Sequence, residues 1–197
     1  MNKKIAITGG IGSGKSAVLN IIKEKGYPVL SCDEIYKELI TAELYVKEIE
    51  KAFPNVVNEG QIDRKRLAEI IFSNEQARTR LNEIAHPLIM KTLLERMNET
   101  ASQLVFAEVP LLFEGNFENL FDKTIVVLRN REERIRSICA RDAISQKEAN
   151  ERMHSQFNYD DLSSQNRIKK IGAILIENKG DVALLKQNVD VALKHLM

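Results

Sequence analysis

The chain has 197 residues, and its 29 lysine and arginine residues against 28 aspartate and glutamate residues give a formal net charge of +1. This length suits one domain, or one domain with a modest insertion, and is too short for two ordinary enzyme domains; a hydrophobic share of 44% argues against wholesale disorder. The balanced charge argues against a nucleic-acid or membrane-surface role, and the apolar runs fall short of the roughly 20 residues of a membrane span. We expect a monomeric cytoplasmic protein without a signal peptide.

The chain begins with a short apolar run over 4–8, which predicts a buried strand. The next segment, Gly9-Gly10-Ile11-Gly12-Ser13-Gly14-Lys15-Ser16, matches G-x-x-x-x-G-K-[ST], and a helical pattern follows over 15–25. Glycines in such a loop allow consecutive backbone N–H groups to surround a polyphosphate at a helix N-terminus. Lys15 is then expected to neutralise phosphates and Ser16 to ligate Mg²⁺. The segment predicts a site for a nucleoside triphosphate with Mg²⁺.

A second strand is predicted over 28–31, with Asp33 just after its carboxyl end, where α/β sheets bind ligands. Two roles for Asp33 stay open. Its carboxylate could accept the proton of an attacking hydroxyl, or it could be the N-cap of a helix over 34–40. Cys32 stands beside it, and we expect Cys32 and Cys139 to be free thiols in a reducing compartment, although a disulfide is the alternative.

The stretch 33–103 is helical in pattern and poor in strands, and its length of about 70 residues exceeds that of an ordinary crossover. It predicts an inserted helical region with a second substrate pocket, the alternative being a mere extension of the core. Within it, Ser73 has capping-box spacing with Gln76, and Pro87 suits the first turn of a helix that runs to Met97. His86 is either a helix cap, a hydrogen-bonded core residue or a site residue.

The third and fourth strands are predicted over 104–109 and 124–128. Glu108, at the end of the third, could support Mg²⁺ or could be a plain surface carboxylate. Five of the chain's arginines follow the fourth strand, with only two glutamates among them, Glu132 and Glu133. We expect one or two of these arginines to stabilise a transferring phosphoryl group and the others to be solvated helix charges. They are Arg129, Arg131, Arg134, Arg136 and Arg141.

Ser145 and Glu148 have capping-box spacing, and the fifth strand is predicted over 173–176. The four residues from Asn178 to Asp181 then spell N-K-x-D, the guanine-reading motif of GTPases. A GTPase also requires a D-x-x-G switch, which the sequence lacks. We therefore favour a turn at Gly180 followed by an N-cap at Asp181, with Asn178 able to touch a purine base. Alternating strands and helices of this kind predict an α/β protein with a parallel sheet.

The residues also resemble the dephospho-coenzyme A kinase family along nearly the whole chain. Besides the loop at 9–16, the similarity includes 33–35, 59–64, the Ala85-His86-Pro87 segment and the Val109-Pro110-Leu111-Leu112-Phe113-Glu114 segment. Arg141-Asp142, Gln156 and 178–180 follow in family order. The His-Pro and Pro-Leu-Leu-Phe-Glu segments make the resemblance more specific than the phosphate loop alone.

This resemblance implies a three-layer P-loop kinase fold that transfers the γ-phosphate of ATP to the 3′-hydroxyl of dephospho-coenzyme A. It implies a core over about 1–32, 104–136 and 170–197, a helical acceptor-binding insertion over about 33–103 and a helical lid over about 137–169. Asp33, Lys15 and Arg141 would be catalytic, and Ser16 would be the Mg²⁺ ligand. The ATP-binding residues would be Gly10, Gly12, Ser13, Gly14, Lys15, Ser16, Ala17 and Asn178. The acceptor-binding residues would be Arg64, His86, Leu111, Leu112 and Glu114.

Two positions depart from the family pattern. Ala17 stands where members often have threonine, which removes a hydroxyl from the α-phosphate side. Ser137 stands where many members have an arginine, four residues before Arg141, and Arg134 or Arg136 could replace it. The alternatives to this function are a P-loop kinase for another small acceptor, such as a nucleotide, and a GTP-binding switch.

Overall fold

The computed structural model describes residues 2–197, and its central feature is a five-stranded sheet. The sheet strands are β1 (Lys3–Thr8), β2 (Val29–Ser31), β5 (Leu104–Glu108), β6 (Lys123–Leu128) and β7 (Ile174–Glu177). Their order in the sheet is β2-β5-β1-β6-β7, and the pairs β1–β5, β1–β6 and β6–β7 are parallel. All five predicted strands are confirmed, and so is the α/β class.

Helices follow most of the strands. They are α1 (Lys15–Glu24), α2 (Cys32–Leu39), α3 (Glu43–Ala52), α4 (Arg64–Ser73), α5 (Glu75–Glu99), α6 (Arg131–Asp142), α7 (Gln146–His154), α8 (Leu162–Lys170) and α9 (Val182–Lys194). A short 3-10 helix covers Glu118–Leu120. Along residues 2–197, no helix combines the length and the apolarity that crossing a bilayer requires.

The sheet's core shows why its strands are continuous apolar runs. Side chains of the central strand β1 are buried on both faces, including Ile5, Ala6 and Ile7. The cluster around Ile5 and Ile7 also takes in Phe106 and apolar residues of α1 and α9. Because both faces of such a strand are buried, its residues form a continuous apolar run, as expected for parallel sheets.

The chain divides into two compact units, one made of residues 1–30 with 97–197 and one of residues 31–96. The first contains the sheet, apart from the last residue of β2. The second has its own core, in which Tyr45, Ile49 and Phe53 of α3 pack with Leu67 of α4 and Leu81 of α5. It also contains a small antiparallel hairpin, β3 (Val57–Asn58) with β4 (Gln61–Ile62).

Two local predictions for this second unit are wrong, and so is the N-cap alternative for Asp33. Helix α2 begins at Cys32, so Asp33 lies in its first turn and the N-cap is Ser31. Ser73 ends α4 and donates its hydroxyl to the Glu69 carbonyl at 2.9 Å, while the Asn74 side chain accepts from the Ala77 backbone at 3.1 Å and caps α5. Pro87 lies inside α5 rather than in its first turn. Contacts within the second unit outweigh the loss of one helical hydrogen bond at this proline.

Two helix ends in the first unit follow local sequence rules. Gly26 has a φ of +84° directly after the C-cap of α1, a conformation that glycine adopts readily. Ser145 and Glu148 form the reciprocal capping box of α7, which confirms that prediction. Cys139 of the first unit and Cys32 of the second unit are both free thiols.

Candidate functional site

The loop between β1 and α1 has the form of a phosphate-binding loop. Strand β1 ends at Thr8, Gly14 is the N-cap of α1, and the Ser13 backbone N–H donates to the Gly10 carbonyl at 3.1 Å. Lys15 lies at the start of α1 and donates its Nζ to the Gly9 carbonyl at 2.7 Å. The loop amides and the Lys15 ammonium therefore lie together at the N-terminus of a helix, where an anion is favoured.

Ser16 and Ala17 are exposed in the first turn of α1. Within residues 2–197 no group of three or more His, Cys, Asp and Glu side chains is arranged to hold a metal ion. A single hydroxyl beside a polyphosphate loop nevertheless fits Mg²⁺, because this ion is usually bound through one or two protein ligands, substrate phosphates and water. The Ser16 hydroxyl has the right chemistry and the right place for that role.

Helix α6 packs directly on the phosphate loop through two glycines. A Cβ at Gly10 would lie 2.2 Å from Nη2 of Arg134, and a Cβ at Gly12 would lie 2.8 Å from the Arg134 carbonyl oxygen. Gly12 also has a φ of +77°, in the left-handed region. These glycines therefore have two effects: they leave backbone amides accessible to phosphate, and they allow α6, which carries most of the arginine cluster, to pack closely on the loop.

Arg134 joins α6 to the phosphate loop. Its residue is 4% exposed, and its Nε donates to the Ile11 carbonyl at 3.0 Å. Burial lowers the pKa of this guanidinium, and the Asp160 carboxylate, 3.7 Å from Nη1, opposes that shift. Arg134 is accordingly a buried structural contact of the loop, held by a carbonyl and a carboxylate.

The segment between α7 and α8 lies against the same loop. Gln156 accepts a hydrogen bond from the Ile11 backbone N–H at 2.9 Å, and the hydroxyls of Tyr159 and Thr8 share one at 3.1 Å. Burial raises the pKa of the Tyr159 hydroxyl, so it stays protonated and available for this bond. Sequence reasoning missed Tyr159 and Asp160 because about 150 residues separate them from the loop, and no local pattern marks such a contact.

Asn178 forms a second link to the phosphate loop. Its side-chain Nδ2 donates to the Ser13 carbonyl at 2.9 Å, and its Oδ1 accepts from the Gly180 backbone N–H at 3.0 Å. Gly180 has a φ of +86°, and Asp181 caps α9 by accepting from the Leu184 N–H at 2.9 Å. The turn-and-cap interpretation of this N-K-x-D segment is confirmed.

A cavity of about 350 Å³ opens beside the loop, at the carboxyl ends of β6 and β7. It belongs entirely to the first unit. Its polar lining comes from the phosphate loop, from α6 and the residues before it, from the α7–α8 connection and from the turn after β7, and includes Ser13, Arg129, Glu133, Arg134, Asp160 and Asn178. A pocket of this size can take a nucleoside.

Arg141 and Arg136 lie on other parts of α6. Arg141, in the last turn, pairs with Asp142 through Nε at 2.7 Å and Nη2 at 3.0 Å. This pairing lowers the pKa of the Asp142 carboxyl and raises that of the guanidinium. Arg136 is exposed. Neither lines the 350 Å³ cavity.

Three predicted site residues belong to the second unit. Asp33 is exposed in the first turn of α2, and Arg64 is exposed at the first position of α4. His86 is half-buried within α5, directly before Pro87. In the first unit, Glu108 is half-buried at the end of β5. Their roles stay predictions.

The segment after β5 supports an aromatic cluster in the first unit. Leu112 and Phe113 are buried and Leu111 is 37% exposed. Phe113 stacks on Phe157 with ring centroids 4.5 Å apart, and Glu114 accepts from the Phe157 backbone N–H at 2.8 Å. The Pro-Leu-Leu-Phe-Glu segment therefore meets the same α7–α8 connection that contacts the phosphate loop.

Comparison with known proteins agrees with this geometry. The family model described as dephospho-CoA kinase (CoaE) matches residues 3–183. A dephospho-CoA kinase of Fusobacterium nucleatum is 35% identical over 188 residues, which cover 94% of each chain. One of Thermus thermophilus is 33% identical over 192 residues, covering 98% of this chain and 91% of the relative.

Solved structures give the same result. A Thermus thermophilus protein of known crystal structure has a TM-score of 0.81 at 32% identity, with 100% of this chain and 98% of that chain covered. A dephospho-CoA kinase from Campylobacter jejuni has a TM-score of 0.69 at 30% identity, with the same coverage. A shikimate kinase from Bacteroides thetaiotaomicron, at 14% identity and a TM-score of 0.52, shares the fold alone. Because the dephospho-CoA kinase family model matches residues 3–183, a range that includes every strand of the sheet, this chain belongs to the dephospho-CoA kinase family.

Proposed function

We propose that the protein transfers the γ-phosphate of ATP to the ribose 3′-hydroxyl of dephospho-coenzyme A, the final step of coenzyme A synthesis. The observation that supports it most directly is a phosphate-binding loop, with Lys15 at the start of α1, inside a chain that matches this family over residues 3–183. The family implies ATP as the co-substrate.

In this proposal the loop holds the phosphates by its backbone amides, over Gly10, Gly12, Ser13 and Gly14. Lys15 neutralises charge on the transferring group, and Ser16 holds Mg²⁺, which when bound neutralises phosphate charge and orients the triphosphate. Ala17 lies next to the α-phosphate, and Asn178 lies on the base side. Arg141 pairs with Asp142 in this structure, and in the proposal a contact with the transferring group replaces that pairing.

Asp33 is the proposed general base of the reaction. Its exposure on the first turn of α2 leaves the carboxylate accessible to an acceptor hydroxyl. Arg64, His86, Leu111, Leu112 and Glu114 are proposed to surround the acceptor. The division into a core, an insertion over about 33–103 and a lid over about 137–169 belongs to the same proposal, as do the monomeric state and the cytoplasmic location.

A coupled ADP-release assay with the purified protein tests the function. We expect ATP-dependent turnover with dephospho-coenzyme A and none above background with adenylate or other small alcohols. Turnover with another acceptor alone would favour a different small-molecule kinase. Preference for GTP in binding, without phosphoryl transfer, would favour a nucleotide switch. Size-exclusion chromatography in the same buffer tests the monomer.

The Asp33→Asn variant tests the general base. We expect kcat to fall by about 10²- to 10⁴-fold, because the amide cannot accept the proton of the attacking hydroxyl. Glu34→Gln is the matched control, since Glu34 is the neighbouring exposed carboxylate in the same helical turn. An unchanged kcat in Asp33→Asn, or equal losses in both variants, would contradict the assignment and leave Asp33 a helix-end charge.

A further inference from the structure

The cavity beside the phosphate loop offers space for the nucleoside of ATP when the loop holds the phosphates. Gly10 and Ser13 of the loop lie on its wall, so a nucleotide with its phosphates on the loop would extend its base into this space. The sequence leaves open which arginine, if any, replaces the one that Ser137 lacks. The contacts of the arginines decide between the candidates.

Arg134 and Arg136 do not fit that role. The guanidinium of Arg134 is engaged with the Ile11 carbonyl and Asp160, and it packs against the Cα of Gly10. Arg136 is exposed and lies outside the lining of the cavity.

Arg129 does fit it. This residue directly follows β6 and lines the cavity. Its Nη1 donates to the Ser137 hydroxyl at 2.8 Å, and its Nε donates to Glu133 at 3.2 Å. Its side chain is 20% exposed. Arg129 therefore places its guanidinium beside Ser137, the position on α6 where many family members have an arginine.

The surroundings of this guanidinium suit a planar ligand. Glu133 and Ser137 bind two of its nitrogens at the edge, so these hydrogen bonds fix the plane of the group without occupying its faces. On another side, a Cβ built at Gly180 would lie 3.8 Å from Nη2, so the turn after β7 comes close to Arg129 without a side chain between them. A guanidinium held in this way can stack on a base, which an ammonium cannot do equally well.

We propose that Arg129 contacts the base of the bound ATP through the plane of its guanidinium, and that Ser137 and Glu133 position that group. This proposal rests on the use of ATP set out above. It assigns nucleoside binding to an arginine that directly follows β6, whereas the replacements that the sequence suggested, Arg134 and Arg136, lie on α6.

The test compares the binding of ATP and of inorganic tripolyphosphate by calorimetry in the presence of Mg²⁺. Arg129→Gln should weaken ATP binding by about 5- to 30-fold, the range of a desolvated cation–π contact. Its affinity for tripolyphosphate should stay within about twofold, because only screened long-range attraction is lost. Arg136→Gln is the matched control and should change neither affinity. Equal weakening of both ligands, or no weakening of ATP, would overturn the proposal.

Two further variants separate the planar contact from charge and from folding. Arg129→Lys keeps the charge and should still bind ATP weakly, whereas full ATP affinity in this variant would overturn a stacking role. Ser137→Arg added to Arg129→Gln should recover ATP affinity, since it supplies a guanidinium from the helix side. Thermal melts confirm that each variant is folded. Wild-type turnover of dephospho-coenzyme A, measured on the same preparation, shows separately whether the proposed reaction stands.

Discussion

Gly12 shows at the scale of one residue how a motif can meet two requirements at once. Its φ of +77° favours glycine, and α6 lies where a side chain would project. The loop sequence predicted the first property, because a phosphate-binding loop needs accessible amides. It could not predict the second, since the atoms that approach Gly12 belong to residues more than 120 positions away.

Substituting Gly12 separates the two requirements. Gly26→Ala adds a Cβ at a similar φ of +84° in open space, so it should cost about 1–2 kcal/mol of left-handed strain. Gly12→Ala adds the same strain and also displaces the Arg134 backbone, so its free energy of unfolding should fall by about a further 1–3 kcal/mol. Urea unfolding of both variants measures the difference. Equal losses would mean that α6 moves away without cost.

At the scale of elements, strands were easier to predict than helix ends. Five continuous apolar runs located five strands because burial on both faces leaves a strong signal. Helix α5 was missed as one unit because Pro87 normally ends a helix, and here tertiary packing outweighs that local preference. The hairpin of β3 and β4 was missed because two strands of two residues each are too short to show alternation.

Helix α9 allows a test of the N-K-x-D segment. Asp181→Ala should lower the free energy of unfolding by about 1 kcal/mol, because the helix loses its N-cap. Asp181→Ser should restore most of that stability, since serine also caps. Neither variant should change the preference for ATP over GTP in a calorimetric titration. A change of nucleotide preference in both would indicate that the carboxylate contacts a base after all.

At the scale of the whole molecule, nucleotide binding should stabilise the folded chain by mass action. ATP with Mg²⁺ at about 100 times its Kd adds about 2.7 kcal/mol to the free energy of unfolding, which a thermal melt detects as a higher Tm. GTP at the same concentration should raise the Tm less, and EDTA should reduce the effect of ATP. Lys15→Ala should abolish the rise in Tm caused by ATP. Lys23→Ala is the control and should keep that rise, because Lys23 is an exposed residue in the last turn of the same helix. Equal protection by GTP and ATP would contradict the proposed co-substrate.

The sequence was informative about the phosphate side of the site and much less so about the base side. Gly10 to Ser16 form a contiguous motif, so their chemistry can be read from order alone. Tyr159 and Asp160 approach the loop and α6 only through the fold, and nothing in the sequence marks either of them. Arg129 stands in the basic cluster of the sequence, but only the fold shows that it lines the cavity. The proposed roles of Arg64 and His86 rest on resemblance to the family, and the Asp33→Asn variant tests the role of Asp33.

The two hydrogen bonds of the Asn178 amide have a thermodynamic consequence. Its Nδ2 donates to the Ser13 carbonyl of the phosphate loop, and its Oδ1 accepts from the Gly180 amide of the turn after β7. A ligand that orders either segment therefore lowers the entropic cost of ordering the other. Adenosine and tripolyphosphate, offered as separate molecules, should then each increase the affinity for the other, with the coupling reciprocal and dependent on this one side chain.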